Sequence, residues 1–161
     1  MTHVVVHNYF KPARDANYSI GLAIERARKI DPLQYLRGLK KIYLVPDRDN
    51  WNAKYDPEED EIILERKFTD KTFLDQVQTL LHEAAHRGQA KDKKTYEEFK
   101  RLGLNQLAYF KTMANPAHRK DYERKGIDNI AEEVFAESYA RFALKMEMPT
   151  PLRSFWQERT Q

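Results

Sequence analysis

Apolar residues recur along this chain at two periods, and the switches between them mark out its elements. Over Ala16–Ile30 the residues Ile20, Ile24 and Ala27 form a stripe at helical spacing, with Asp15 or Asn17 placed to cap it. Asp31-Pro32 ends that helix, and proline suits the first turn of a second, short one over Leu33–Leu39. The period then shortens. Lys41–Val45 (KIYLV, closed by Pro46), Trp51–Tyr55 and Glu61–Glu65 (EIILE) read as strands, the last two joined by a turn over Asp56-Pro57-Glu58-Glu59-Asp60. His3–Tyr9 is a further β-like run; His3 and His7 share one side of it, but a fraying terminal segment is the expectation there.

Helical spacing returns with Phe73, Val77, Leu80, Ala84 and Gly88, the apolar back of an amphipathic helix containing QVQTLLHEAAHRG, residues 76–88. Thr95–Leu102 and Leu104–Met113 continue as helix until Asn115-Pro116 breaks the pattern, and His118–Gly126 is polar and basic. Asp128 reads as the cap of a long helix over Asn129–Met146, ended by Pro149 and Pro151, and the tail aromatics Phe155 and Trp156 are expected to pack back on the body. The pattern predicts an α+β fold in one domain, residues 1–161. A helix and a small three- to four-stranded sheet (1–88) back the helix at 76–88, and a mostly helical half (89–161) follows.

Composition narrows the function classes. The 161 residues are 41% hydrophobic and 33% charged, enough for one substantial core. No stretch approaches the ~18 apolar residues of a membrane span, and the first residues lack a basic leader, so no membrane partner and a cytoplasmic protein are expected. There is no cysteine, which leaves only histidine and carboxylate to hold a metal. The net charge of +3 is unevenly spread: residues 87–125 carry eleven Lys/Arg against five Asp/Glu, while residues 47–61 carry seven acids against two bases. Lys91, Lys93, Lys94, Arg119, Lys120, Arg124 and Lys125 supply an alternative reading, a basic nucleic-acid-binding or interaction domain. A solvated helix surface accounts for the same residues.

The candidate chemistry sits on the helix at 76–88. His82-Glu83-Ala84-Ala85-His86 is an H-E-x-x-H motif. Side chains four apart lie on one helix face, so both imidazoles can reach one ion, and Glu83 projects beside them as a general base for water. Zinc suits two neutral histidines and a third protein ligand, with a fourth position open. Glu133 and Glu137 stand four apart on a helix whose apolar residues (Ile130, Val134, Phe135, Ala136, Phe142, Ala143, Leu144) surround it. Buried carboxylates are costly unless paired or metal-bound, so these two read as a ligand plus a partner that orients a ligand histidine, or as ion pairs with Arg141 and Lys145.

H-E-x-x-H followed by a helix bearing E-x-x-x-E resembles the gluzincin class of zinc metallopeptidases. The run Glu133-Val134-Phe135-Ala136-Glu137-Ser138-Tyr139-Ala140-Arg141-Phe142 is similar to the catalytic domain of anthrax lethal factor and its relatives, and to small phage-encoded metallopeptidases. The resemblance implies a zincin-like domain with one Zn2+ per chain held by His82, His86 and Glu133. It further implies Glu83 as the base, Glu137 behind a ligand histidine, a protein or peptide substrate, and a phage or prophage source. That family uses a tyrosine upstream of the ligand glutamate to steady the oxyanion. The matching position is Gly126 here, which leaves Tyr122 as the nearest tyrosine and His118 as another donor. Glu137, His118 and Asp92 are alternative third ligands, and a non-catalytic metal-binding protein is the remaining alternative function.

Overall fold

The strands predicted from alternating residues join one sheet in the order β1-β2-β4-β3, with β1 at Val5–Asn8, β2 at Lys41–Val45, β3 at Ala53–Asp56 and β4 at Glu61–Glu65. The computed structural model describes residues 5–8, 14–47, 53–113, 123–124 and 126–161, so Trp51 lies outside the described residues. β1 runs parallel to β2 and β2 to β4, whereas β3 pairs antiparallel with β4. The first parallel pair needs a long crossover, which α1 (Arg14–Ile30) supplies. Val5–Asn8 therefore holds a place in the sheet instead of fraying. Register follows from burial: Ile42 faces Ile62 and Leu44 faces Leu64, and all four are buried, so a slip by one residue would turn each pair outward.

Behind the sheet stands α2 (Phe73–Lys91), which carries the H-E-x-x-H residues. Thr72 opens it, its hydroxyl accepting from the Asp75 N–H at 3.2 Å. Among the described residues α3 (Lys93–Arg101), α4 (Leu107–Met113), α5 (Ile127–Ala143) and α6 (Thr150–Thr160) follow, a mostly helical second half as expected. Among the described residues, no helix is long and apolar enough to cross a membrane.

Two local expectations fail for identifiable reasons. Leu33–Leu39 forms turns, not a helix, because its backbone groups are claimed by side chains: Leu36 N–H donates to Asp31 Oδ2 (2.7 Å), and the Tyr35 and Arg37 carbonyls accept from Arg87 (2.6 and 2.8 Å). Gln34 and Gly38 take positive φ (55° and 86°), which ends any helical run. α5 begins at Ile127 behind Gly126 (φ 96°), so Asp128 falls inside the first turn and does not cap it; the helix stops at Ala143, short of Met146. The tail aromatics pack back on the body as expected, and they do so from a helix. Pro151 sits in its first turn, where a missing N–H costs nothing, and Leu152, Phe155 and Trp156 are buried.

α5 is enclosed because it serves two neighbours. Phe135 and Tyr139 point away from Glu133 and Glu137, into a cluster where Trp156 meets their rings at 4.9 and 5.1 Å and donates to Ser138 Oγ at 2.9 Å. Tyr35 wedges between α5, where its ring centre lies 4.9 Å from that of Tyr139, and α2, where any Cβ on Gly88 would lie 2.5 Å from its ring carbons. Gly88 is thus the gap that lets this ring seat between the two helices.

Arg87, also on α2, reaches the turn between β3 and β4. It grips Asp60 through Nε (2.7 Å to Oδ1) and Nη2 (3.0 Å to Oδ2), while Tyr55 donates its hydroxyl to the same carboxylate at 2.6 Å. Arg87→Leu leaves the Tyr35 and Arg37 carbonyls without their donor and the partly exposed Asp60 without its counter-charge, so it is expected to cost about 1–3 kcal/mol in chemical unfolding. The hydrogen bonds from Arg87 hold the Asp60 carboxyl below the ordinary range. A carboxyl depressed on folding stabilises above its unfolded pKa, and that stability is lost as acid titrates the folded form, here below about pH 4. The Arg87→Leu variant is expected to lack that part of the acid-side loss; an unchanged acid limb would contradict the pairing.

Candidate metal centre

Helical spacing brings four acceptor atoms from two helices to one point. His82 and His86, one turn apart on α2, place their Nε2 atoms 3.0 Å from each other. Glu133 of α5 sets Oε2 3.2 Å from His82 Nε2 and Oε1 3.2 Å from His86 Nε2. Ligands bound tetrahedrally at ~2.0–2.1 Å from one zinc keep about 3.3 Å between them, so these spacings fit a single small ion. Histidine nitrogen and carboxylate oxygen are donors that suit zinc, whereas Mg2+ and Ca2+ prefer all-oxygen shells. His82, His86 and Glu133 are the group able to hold a metal among the described residues.

Glu137 stands on the other side of His82, with Oε1 2.7 Å from Nδ1. The contact is short but bent away from the ring N–H direction, so it acts mainly as charge pairing. It still favours a proton on Nδ1, which leaves the Nε2 lone pair facing Glu133. Arg141 backs Glu137 at 3.8 Å, the ion pair open in the sequence, while its Nη2 donates to the Met113 carbonyl at 3.1 Å. His86 Nδ1 in turn faces Gln89 Oε1 at 3.2 Å.

The electrostatics call for positive charge between these groups. Burial drives His82 downward, but the Glu133 and then the Glu137 carboxylates outweigh it and hold its pKa well above the ordinary value; His86 is raised by Glu133 in the same way. Burial pushes Glu133 and Glu137 upward, yet His82 and then His86 depress Glu133, and His82 together with Arg141 depresses Glu137. Two protons on the rings satisfy this arrangement, and so does one divalent cation at the point where the lone pairs converge.

Glu83 is buried beside the histidines, and burial raises its pKa against the opposing pull of His86 and His82. The Tyr55 backbone of β3 also draws it down, which sets Glu83 beside the edge of the sheet. Asp92 is occupied elsewhere: Oδ1 caps α3 through the Thr95 N–H (3.3 Å) and Oδ2 accepts from the Tyr35 hydroxyl (2.9 Å). Tyr122 and His118 lie outside the described residues. Several cations of the basic stretch are paired within the protein, Arg87 with Asp60, Lys100 with Glu97 and Arg101 with Glu98.

Sequence reasoning passed over three contributors: the Tyr55 backbone on Glu83, the Arg87–Asp60 grip and Gln89. Each depends on a partner remote in sequence, and only the buried position of Arg87 on the helix back hinted at its role. Comparison of the chain with family models, with curated proteins and with solved structures finds no match.

Proposed function

We propose that this protein is a zinc-dependent peptidase with one zincin-like centre. The observation that carries the reading is the convergence of two imidazole nitrogens and one carboxylate within 3.0–3.2 Å, with a buried Glu83 beside them. His82 and His86 present Nε2, Glu133 is the third ligand, and Glu137 steadies His82. When bound, zinc supplies Lewis-acid polarisation of the scissile carbonyl and brings the pKa of water toward ~7. Glu83, buried beside the histidines, would take the proton from that water and hand it to the leaving amine.

The sheet edge supports a peptide substrate. Among the described residues β3 is the outer strand of the sheet, and Glu83 lies beside it at Tyr55. The side of β3 away from β4 is where an extended peptide adds as a further strand. We place the substrate there, its scissile bond carried toward the histidines. Hydrolysis of unfolded protein or mixed peptides should stop on chelation and return with added zinc. Hydrolysis indifferent to chelator, or absent from the zinc-loaded chain across a broad peptide set, would contradict the reading.

A further inference from the structure

Resting on the zinc-centre reading, we propose that Gln89 is a positioning residue that aims His86 and couples it to the helix bearing Glu133. The Glu132 carbonyl can only accept, so the amide end facing it at 2.8 Å is the NH2 group of Gln89. The other end is therefore the oxygen, and it lies 3.2 Å from His86 Nδ1. An oxygen there accepts the Nδ1 proton, which leaves the Nε2 lone pair directed at His82 and Glu133.

The orientation of His86 is thus set by a backbone carbonyl on α5, one residue before the ligand carboxylate. Glu137 reaches His82 from α5 by a side chain, and Gln89 reaches back from α2 to the same helix, so the two ligand histidines are fixed to α5 by separate routes. Gln89 lies on α2 just beyond His86 and is half-buried, so the bridge is shielded without being part of the hydrophobic core. A carboxylate at position 89 could still accept from Nδ1 but would turn an oxygen toward the Glu132 carbonyl; the amide meets both demands at once.

The test is zinc affinity measured by competition with a chromogenic chelator, for the parent chain and for Gln89→Leu. Loss of an outer hydrogen bond to a ligand histidine costs about 10–100-fold in metal affinity, and that loss is expected here with metal-free thermal unfolding unchanged. Nuclear magnetic resonance of the zinc-loaded parent supplies a readout that needs no variant: the His86 Nδ1–H should exchange slowly with solvent, and faster in Gln89→Leu. Unchanged affinity in Gln89→Leu, rapid exchange of that proton in the parent, or an affinity loss matched by loss of metal-free stability would overturn the proposal. A parent chain that takes up no zinc would instead remove the metal centre itself, and this inference with it.

Discussion

Glu83→Gln should keep its zinc and lose peptide hydrolysis by about 10²–10⁴-fold, the span typical of removing a positioned general base. The amide matches the carboxylate in shape, and its oxygen can still face the Tyr55 backbone of β3. Packing around this buried position should therefore survive. The lost property is the ability to take a proton. Glu83 also stands outside the group of atoms that converge on the ion site, which consists of His82, His86 and Glu133, so metal content should not follow activity. A variant that hydrolyses peptide at the parent rate would remove Glu83 from the role of base. One that loses zinc along with activity would show that its contribution is to hold the site together.

The second large effect separates the two glutamates of α5. Glu133→Ala should empty the site, because it deletes both oxygens that lie 3.2 Å from the two imidazole nitrogens and leaves those lone pairs facing each other. Glu137→Ala should weaken zinc binding by about 10–100-fold without abolishing it, since that carboxylate acts through the far nitrogen of His82. Isothermal titration of the metal-free proteins measures both. If Glu137→Ala is the variant that takes up no zinc, the two roles are reversed.

Features written in local spacing were legible before the fold was known. The separation of His82 from His86, and of Glu133 from Glu137, is one helical turn, so each pair shares a face wherever its helix lies. The strands at Lys41–Val45 and Glu61–Glu65 announced themselves by alternation and a charged turn, and the structure gives them the same bounds. What could not be read were partnerships made across the chain. Gln89, three residues past a histidine, is an ordinary surface residue of α2 until the carbonyl of Glu132 arrives from α5. Arg87 counted as one cation in a basic stretch and Asp60 as one acid in a separate acidic stretch, yet the two form a bidentate pair. Leu33–Leu39 has helical composition, but Asp31 and Arg87 offer its backbone stronger partners than a helix would. The prolines at 149 and 151 carried a stop signal that serves equally well as a start, because proline suits a first helical turn.

The central claim is that His82, His86 and Glu133 together hold one zinc ion. Elemental analysis of the purified chain, after loosely bound metal is removed, tests it most directly. The account predicts close to one zinc per chain, and a zinc content that falls in Glu133→Ala while persisting in Glu83→Gln. Metal content near zero, with no uptake when zinc is titrated into the folded protein, would contradict it. The convergence of the two rings and the carboxylate would then be a protonated ion-pair cluster between two helices, and the peptidase reading would fall with it.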